Sequence, residues 1–583
     1  MLINNRDLNK LCGILLAKSI IDLYPNVLIG SLQIGDDINN EIGYTYSFDL
    51  DERLNNTTFQ KIIKAMKKNI DRAYEIKYEK LSKSEALNLF KNNKYKLELI
   101  ESCEQNEIEI IKFGNDYIDL CEQLSITKLS VIKIIDLLNV SGVYWNHSSK
   151  NKQLQAITGV AFETQELYDL YKSEIKDKEE RDHRYINKNM DLFFVSDDMA
   201  GPGLPFWLPN GAAIKYVIDD FVHKLLVRNG YQYVQTPVLG KKELYETSGH
   251  WFHYRENMFA PCQIDNDIEV LRPMTCPHHL VVYMYKPRSY RELPFRVFED
   301  AILHRYESSG SLIGIERVRQ MRLIDTHIVC ALDQIKDAVG RAYKVINEAA
   351  AAFGLPPQWV DLSLHDSNNK EKFFEGEETW NLAENLLRNL LNEMGIKYKE
   401  EIGEAAFYGP KIDMQIKTAL GHVITAYTIQ LDFLLPEKFK LEYIDQEGKK
   451  QRPVLVHASV IGTVERFMSI LLENNKGIFP FWLAPIQVEI ITINNDAHGS
   501  KANEMKEILL ENEIRVHVDN RDERLSKKVR DAQLAHTPFL IVIGDKESQS
   551  NDVSYRRYGQ EETIVANVNE FIALLKQENT PKK

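Results

Sequence analysis

His457-Ala-Ser-Val-Ile-Gly-Thr-Val-Glu-Arg-Phe467, continuing into Met468-Ser-Ile-Leu-Leu472, sets an arginine at the mouth of a strongly apolar segment. Burying a guanidinium among Phe467, Met468, Ile470 and Leu471 costs free energy unless it is paired or functional. The spacing predicts a helix over residues 460–472 with Gly462-Thr-Val-Glu-Arg466 opening it. Upstream, His304-Arg-Tyr-Glu307 leads into Ser308-Ser-Gly-Ser-Leu312 and Glu316-Arg-Val-Arg319. On extended chain Arg305 and Glu307 share a face, and the glycine-containing turn returns Arg317 and Arg319 toward them. Several cations gathered near one anion suit a phosphate group. Surface ion pairing is the alternative for this segment, and a structural pair of Arg466 with Glu465 or another acid is the alternative for the other. The sequence has no Walker A loop, G-x-G-x-x-G, H-E-x-x-H or G-x-S-x-G. A nucleotide would therefore be held by arginines and carboxylates, without a glycine-rich cradle.

Around these segments the chain changes rhythm. Gly201-Pro-Gly-Leu-Pro-Phe-Trp-Leu-Pro-Asn-Gly211 reads as a shaped loop. A helix over 212–229 and a strand over 231–235 follow it. From there to Phe481 strands and helices mix without βαβ regularity, which predicts a mainly antiparallel α+β core. Residues 488–543 alternate strand, helix, strand, helix, strand, implying a compact α/β domain with a largely parallel sheet. At the other end, residues 8–23 read as a helix stopped by Pro25, and 26–34 as a strand. The charged stretch with Leu167, Leu170, Tyr171 and Ile175 at helical spacing reads as a connecting helix. The division expected is an α+β domain at 1–162, a connecting helix at 163–190, a core at 191–482 and a tail domain at 483–583.

Composition agrees and adds limits. The chain has 583 residues, 44% hydrophobic and 27% charged, as ordinary soluble multidomain proteins do. No window reaches the roughly 20 apolar residues of a membrane span, and the run Leu11 to Ala17 is too short for a secretory signal. Six cysteines include no C-x-x-C pair, so neither a disulfide framework nor a zinc ribbon is readable. A cytoplasmic location and no membrane partner are expected. The net charge of −13 argues against indiscriminate nucleic-acid binding but leaves room for a local basic face at residues 515–530.

Arg272-Pro-Met-Thr-Cys-Pro-His-His279, the Arg305/Glu307 segment and the 457–467 stretch together resemble the threonyl-tRNA synthetases, a family of class II aminoacyl-tRNA synthetases. Asp182-His-Arg184, Thr247-Ser-Gly-His-Trp251, Ser289-Tyr-Arg-Glu-Leu-Pro294, Ala406-Phe-Tyr-Gly-Pro-Lys411, Thr428-Ile-Gln-Leu-Asp-Phe433 and Phe481-Trp-Leu-Ala-Pro485 continue the match in order over essentially the whole chain. The resemblance implies a class II antiparallel-sheet catalytic core, an editing-like N-terminal domain and a C-terminal anticodon-binding domain. It implies one Zn²⁺ per subunit on Cys276, His327 and His457, with an open position for threonine's amino and hydroxyl groups. Asp325 would receive the hydroxyl, and Tyr408, Lys411 and Gln430 would line the amino-acid pocket. For ATP with Mg²⁺, Arg305 would bind the α-phosphate and the threonine carboxylate, and Glu307 would read adenine. Arg317 and Arg466 would reach the γ-phosphate, and Met321 would lie against the purine. Arg521, Lys527, Lys528 and Arg530 would stand nearest tRNA(Thr). Pro237 matches the segment that builds a homodimer interface. A catalytically silent synthetase-like RNA binder is the alternative from another class, and retention of Arg305, Glu307, Arg466 and the Cys/His/His set speaks against it.

The chain also departs from the family pattern. His278 replaces a glycine, Met321 a stacking aromatic, and Arg322-Leu-Ile-Asp-Thr-His327 a more polar segment. The ubiquitin-like domain that often precedes the family's editing domain has no counterpart. In the editing-like domain, Lys10 and Ile14 stand where the family has a His-x-x-x-His pair. Ser125 stands for a further histidine, and only Cys121 remains. Seryl-tRNA(Thr) is expected to form and not to be cleared in cis.

Overall fold

A computed structural model describes residues 6–35, 43–148 and 150–581. The chain divides into two compact units, residues 1–177 and 178–583.

In the first unit, helix α1 (Arg6–Leu23) buries Leu11, Ile14, Leu15 and Ile20. These side chains join one apolar core with Tyr44, Tyr46, Phe48 and Ile157 of an antiparallel four-stranded sheet. The strands of that sheet, in spatial order, are Leu28–Ile34, Tyr44–Asp49, Gln153–Phe162 and Ile134–Tyr144. A second, three-stranded antiparallel sheet spans Ile76–Ser82, Glu107–Phe113 and Tyr117–Leu120. The core encloses a buried ion pair. Lys96 and Asp119, 4% and 1% exposed, form an ion pair at 2.5 Å. Tyr46 and Tyr117 donate their hydroxyls to the same carboxylate. Lys96→Met leaves that carboxylate buried without its cation and is expected to destabilise this unit by about 3–5 kcal/mol. Urea unfolding checks this, and a loss below about 1 kcal/mol would contradict it.

The segment expected to be one connecting helix is two. Helix α2 (Gln165–Arg181) ends before Asp182, whose carboxylate accepts the Arg184 amide and caps α3 (His183–Met190). Helix α4 (Pro209–Arg228) follows the Pro/Gly loop and starts on its proline. Then come strand β1 (Gln232–Tyr233), shorter than expected, and helix α5 (Cys276–Met284). Seven strands complete the core sheet: β2 (Phe295–His304), β3 (Gln320–Cys330), β4 (Trp359–Leu364), β5 (Lys399–Ile402), β6 (Lys411–Lys417), β7 (Val423–Asp432) and β8 (Val454–Thr463). Their spatial order is β1-β2-β3-β8-β7-β6-β4-β5. All pairings are antiparallel except the two at the edges, β1 with β2 and β4 with β5. The strand last in sequence thus sits near the middle of the sheet.

The helix expected over 460–472 begins later. Residues 460–463 still belong to β8, and helix α6 runs Val464–Asn475. The β-branched Val460, Ile461 and Thr463 favour the pleated surface. An irregular register against β3 and a positive φ at Gly462 (+64°) turn the chain into the helix. In the tail, Val516–Asp519, Val488–Thr492 and Phe539–Ile543 lie parallel. Asp552–Arg557 and Ile564–Asn567 extend the sheet antiparallel. Among the described residues, no helix is long and apolar enough to cross a membrane.

Candidate active site

Strand register builds the site. His327 on β3 faces His457 on β8, His457 faces Gln430 on β7, and Gln430 faces Lys411 on β6. Directly opposed residues share a face of the sheet, so four polar side chains form one row across four strands. Asp325 stands two residues from His327 on the same face. Cys276, at the start of α5, brings its sulfur to the row. One ligand atom from each of Cys276, His327 and His457 lies within 4.8 Å of the other two, and all three residues are buried.

The donor chemistry suits a metal ion. His457 Nε2 lies 2.9 Å from the Asp432 carboxylate. His279 Nε2 lies 3.2 Å from Glu299, and its Nδ1 lies 2.8 Å from Nδ1 of His327. Carboxylates only accept, so with neutral rings each chain of bonds places a proton at its carboxylate end. That leaves lone pairs on His327 Nε2 and His457 Nδ1, which face each other at 2.9 Å. Two acceptors in that position have no proton to share, and a cation between them resolves the conflict. Burial, reinforced by the neighbouring imidazoles of His457 and His279, holds the His327 pKa far below its usual value and its ring neutral. The Cys276 thiol is pushed up by burial and then by the Asp325 and Asp432 charges, a penalty that coordination would offset. Glu299 is an anion although burial opposes it. Hydrogen bonds from His279, Arg272 and Thr236 hold its carboxyl at about 2.

Around this centre, Tyr408 stacks on the His457 ring at 5.0 Å and donates its hydroxyl to Gln430. Thr275 donates its hydroxyl to Asp325, whose pKa burial raises. Lys411 pairs with Asp413 at 2.9 Å. His278, the unexpected histidine, does not enter the row. It is buried on the other side of α5, with Nε2 at 2.9 Å from the Tyr245 hydroxyl.

The cationic segments converge as the turn predicted. Arg317 pairs with Glu307 at 3.3 Å, and Arg466 donates Nε to the Glu316 carbonyl at 3.2 Å. Burial lowers the Arg466 pKa, and its field includes the Arg305 and Arg317 cations and the Glu316 and Glu307 anions. Glu465 is not the partner of Arg466. It binds Lys215 at 2.6 Å and the Arg322 amide at 2.8 Å. Met321 is on the same sheet face but 6% exposed, packed with Ala301, Leu303 and Val318, so it offers a purine little surface.

Two other groups of predicted residues fare differently. In the tail, Arg530 is exposed, while Arg521 pairs with Asp519 and Asp531 and Lys527 pairs with Glu523. Lys528 departs from expectation: it is 3% exposed, and its ammonium donates to the Asp519 carbonyl at 3.1 Å. It ties strand ends together inside the domain and is not presented to a partner. In the first unit, Lys10 and Ser125, which the family pattern would replace by histidines, have separate partners. Lys10 reaches Glu122 at 2.5 Å, and Asp7 accepts the Ser125 amide at 2.7 Å. Cys121 is buried, and burial pushes its thiol up to about 12.

Comparison with known proteins agrees with this geometry. Residues 261–475 match the family model described as tRNA synthetase class II core domain (G, H, P, S and T), and residues 487–578 match the anticodon binding domain. The threonine--tRNA ligase of Ureaplasma parvum serovar 3 is 46% identical over 583 residues, covering 99% of both chains. That of a Geobacillus species is 44% identical and covers 97% of this chain and 87% of its own. Among solved structures, the RNA binding domain of threonyl-tRNA synthetase from Cryptosporidium parvum aligns with a TM-score of 0.65 at 33% identity. The alignment covers 69% of this chain and 99% of that one.

Proposed function

The chain belongs to the threonyl-tRNA synthetases, and from that premise we propose how its residues divide the work. Its reaction is the ATP-dependent attachment of threonine to tRNA. The observation that carries the division of roles is the meeting of Cys276, His327 and His457 beside Asp325, Tyr408 and Gln430. Cys276, His327 and His457 would hold one Zn²⁺, which supplies a Lewis-acid seat for threonine's amino and hydroxyl groups. Asp325 accepts the hydroxyl proton in a hydrogen bond. Valine brings no hydroxyl and leaves that carboxylate unmatched, a difference worth a factor of about 10⁴ or more. Tyr408 and Gln430 close the pocket, with Lys411 at the end of the row.

Arg305 draws the threonine carboxylate and the α-phosphate together. A carboxylate oxygen attacks the α-phosphorus in line and pyrophosphate leaves, its charge met by Arg317 and Arg466; Mg²⁺ bound with ATP would supply further charge neutralisation. Glu307 accepts from the adenine amino group, and Met321 contributes only the floor beneath it. A hydroxyl of the terminal ribose of tRNA(Thr) then attacks the threonyl carbonyl, and AMP departs. Arg521, Lys527 and Arg530 stand on the tail surface assigned to the anticodon arm. A homodimer through the segment around Pro237 and a cytoplasmic location complete this reading.

Editing is absent from the scheme. Where a water would have to be oriented, Ile14 is apolar and Lys10 is engaged by Glu122. The methyl group that separates threonine from serine gives only about 10–200-fold discrimination. Charging tRNA(Thr) separately with each amino acid tests this. Seryl-tRNA is expected to accumulate at high serine and to persist with its spontaneous half-life. Rapid deacylation of that product by the purified protein would overturn the reading.

A further inference from the structure

The loop carrying Arg317 is fastened to the helix carrying Arg466 by two routes, and the second uses a histidine that the reaction scheme leaves idle. The direct route is the bond from Arg466 Nε to the Glu316 carbonyl, at 3.2 Å. The indirect route starts at Glu473, two turns further along α6 and therefore on nearly the same side of the helix. The Glu473 carboxylate lies 2.7 Å from His183 Nδ1. His183 Nε2 lies 3.2 Å from the backbone nitrogen of Ile315, which donates to it. His183, Glu473 and Ile315 are all buried. A backbone amide can only donate and a carboxylate can only accept, so the ring is held as its Nδ1–H tautomer with both nitrogens engaged.

Two further features serve this contact. Gly314 has φ +46°, and a Cβ there would stand 2.0 Å from His183 Nε2, so only glycine lets the loop lie on the ring. The ring's own base is anchored at α3: Asp182 caps that helix, and the neighbouring Arg181 donates to the Glu473 and Asn474 carbonyls at 3.3 and 3.2 Å. The outcome is that the 315–316 peptide is clamped at both ends, its flanking amide by His183 and the Glu316 carbonyl by Arg466.

We propose that His183 is a positioning residue for ATP: with its tautomer set by Glu473, it holds the Ile315 amide so that the loop presents Arg317 to the nucleotide that Arg466 meets. The proposal rests on the reading of Arg317 and Arg466 as nucleotide ligands. It predicts an effect on ATP that a merely structural histidine would not single out.

The test uses the full chain in ATP–pyrophosphate exchange, with KM for ATP and for threonine measured separately. Hydrogen–deuterium exchange over residues 312–320 is followed in the same preparations. His183→Asn can still donate toward Glu473 but falls short of Ile315. It is expected to raise the ATP KM about tenfold while the threonine KM and kcat move less than about threefold. Exchange across 312–320 should speed up at the same time. His183→Gln carries an amide oxygen out to the Nε2 position and should restore most of the ATP KM and the loop protection. If the asparagine variant fails to fold, Gly314→Ala lifts the loop off the ring and should raise the ATP KM by a similar factor. An unchanged ATP KM in His183→Asn, or equal rises for ATP and threonine, would overturn the proposal. Arg317→Ala separates the two levels. If it raises the ATP KM while His183→Asn does not, only the positioning role falls. If Arg317→Ala also leaves the ATP KM unchanged, the nucleotide reading of the loop falls, and the proposal falls with it.

Discussion

Cys276→Ala is expected to empty the centre formed with His327 and His457 and to slow threonyl-adenylate formation by about 10³-fold, the several kcal/mol that a Lewis acid supplies. The sulfur is buried at the head of α5, and its removal leaves a small cavity and two facing imidazole lone pairs. Elemental analysis after dialysis should find about one zinc per native chain and below about 0.1 in the variant. Stability gives a second readout: zinc should raise the melting temperature of the native protein and not that of the variant. Asp432→Ala supplies a graded control. It frees the His457 tautomer without touching a ligand, and metal affinity should fall about 10–100-fold. A native protein that charges threonine at full rate after complete zinc removal would end this account of the site.

The second large effect belongs to Arg466. Its guanidinium is partly buried and lies in the field of Arg305 and Arg317, an arrangement that favours an anion bridging the three. Arg466→Ala removes a preorganised cation from where phosphate charge builds up, and pyrophosphate exchange should fall by about 10²–10³-fold, some 2.7–4 kcal/mol. Arg466→Lys should recover little, because an ammonium lacks the planar fork and cannot at once hold the Glu316 carbonyl and a phosphate. Arg466 is repelled by Arg305 and Arg317 and attracted by Glu316 and Glu307, so the thermal melt without ATP should fall far less than the stabilisation by ATP, which should disappear. A variant with native exchange rates would show that Arg466 only braces the loop.

Much of this was readable in the sequence because it is local. The helix of residues 8–23, the alternation in the tail and the turn that gathers Arg305, Glu307 and Arg317 each follow from short-range pattern. The proposed metal ligands follow only from family resemblance, since Cys276, His327 and His457 are far apart in sequence and meet through strand register and the start of α5. Their supports were not identified. Asp432, His279 and Glu299 carry no spacing signal, and their roles emerge only when the rings are placed. Among the expectations that failed, two have definite reasons. Residues 460–463 look helical beside Phe467 but continue strand β8. Lys528 looks like part of a basic face, yet its ammonium finds backbone carbonyls inside the domain.

The position of β8 has a consequence during synthesis. Without residues 454–463, the strands β1-β2-β3 and β7-β6-β4-β5 are two separate ribbons with bare inner edges, since nothing else joins them in the sheet order. His327 and Gln430 then have no common partner, and a slip of one residue on insertion would turn His457 to the opposite face. In a growing chain the row of site residues is therefore assembled only when β8 pairs on both sides. The unpaired edges are also what a folding helper would have to shield until the last strand of the core emerges.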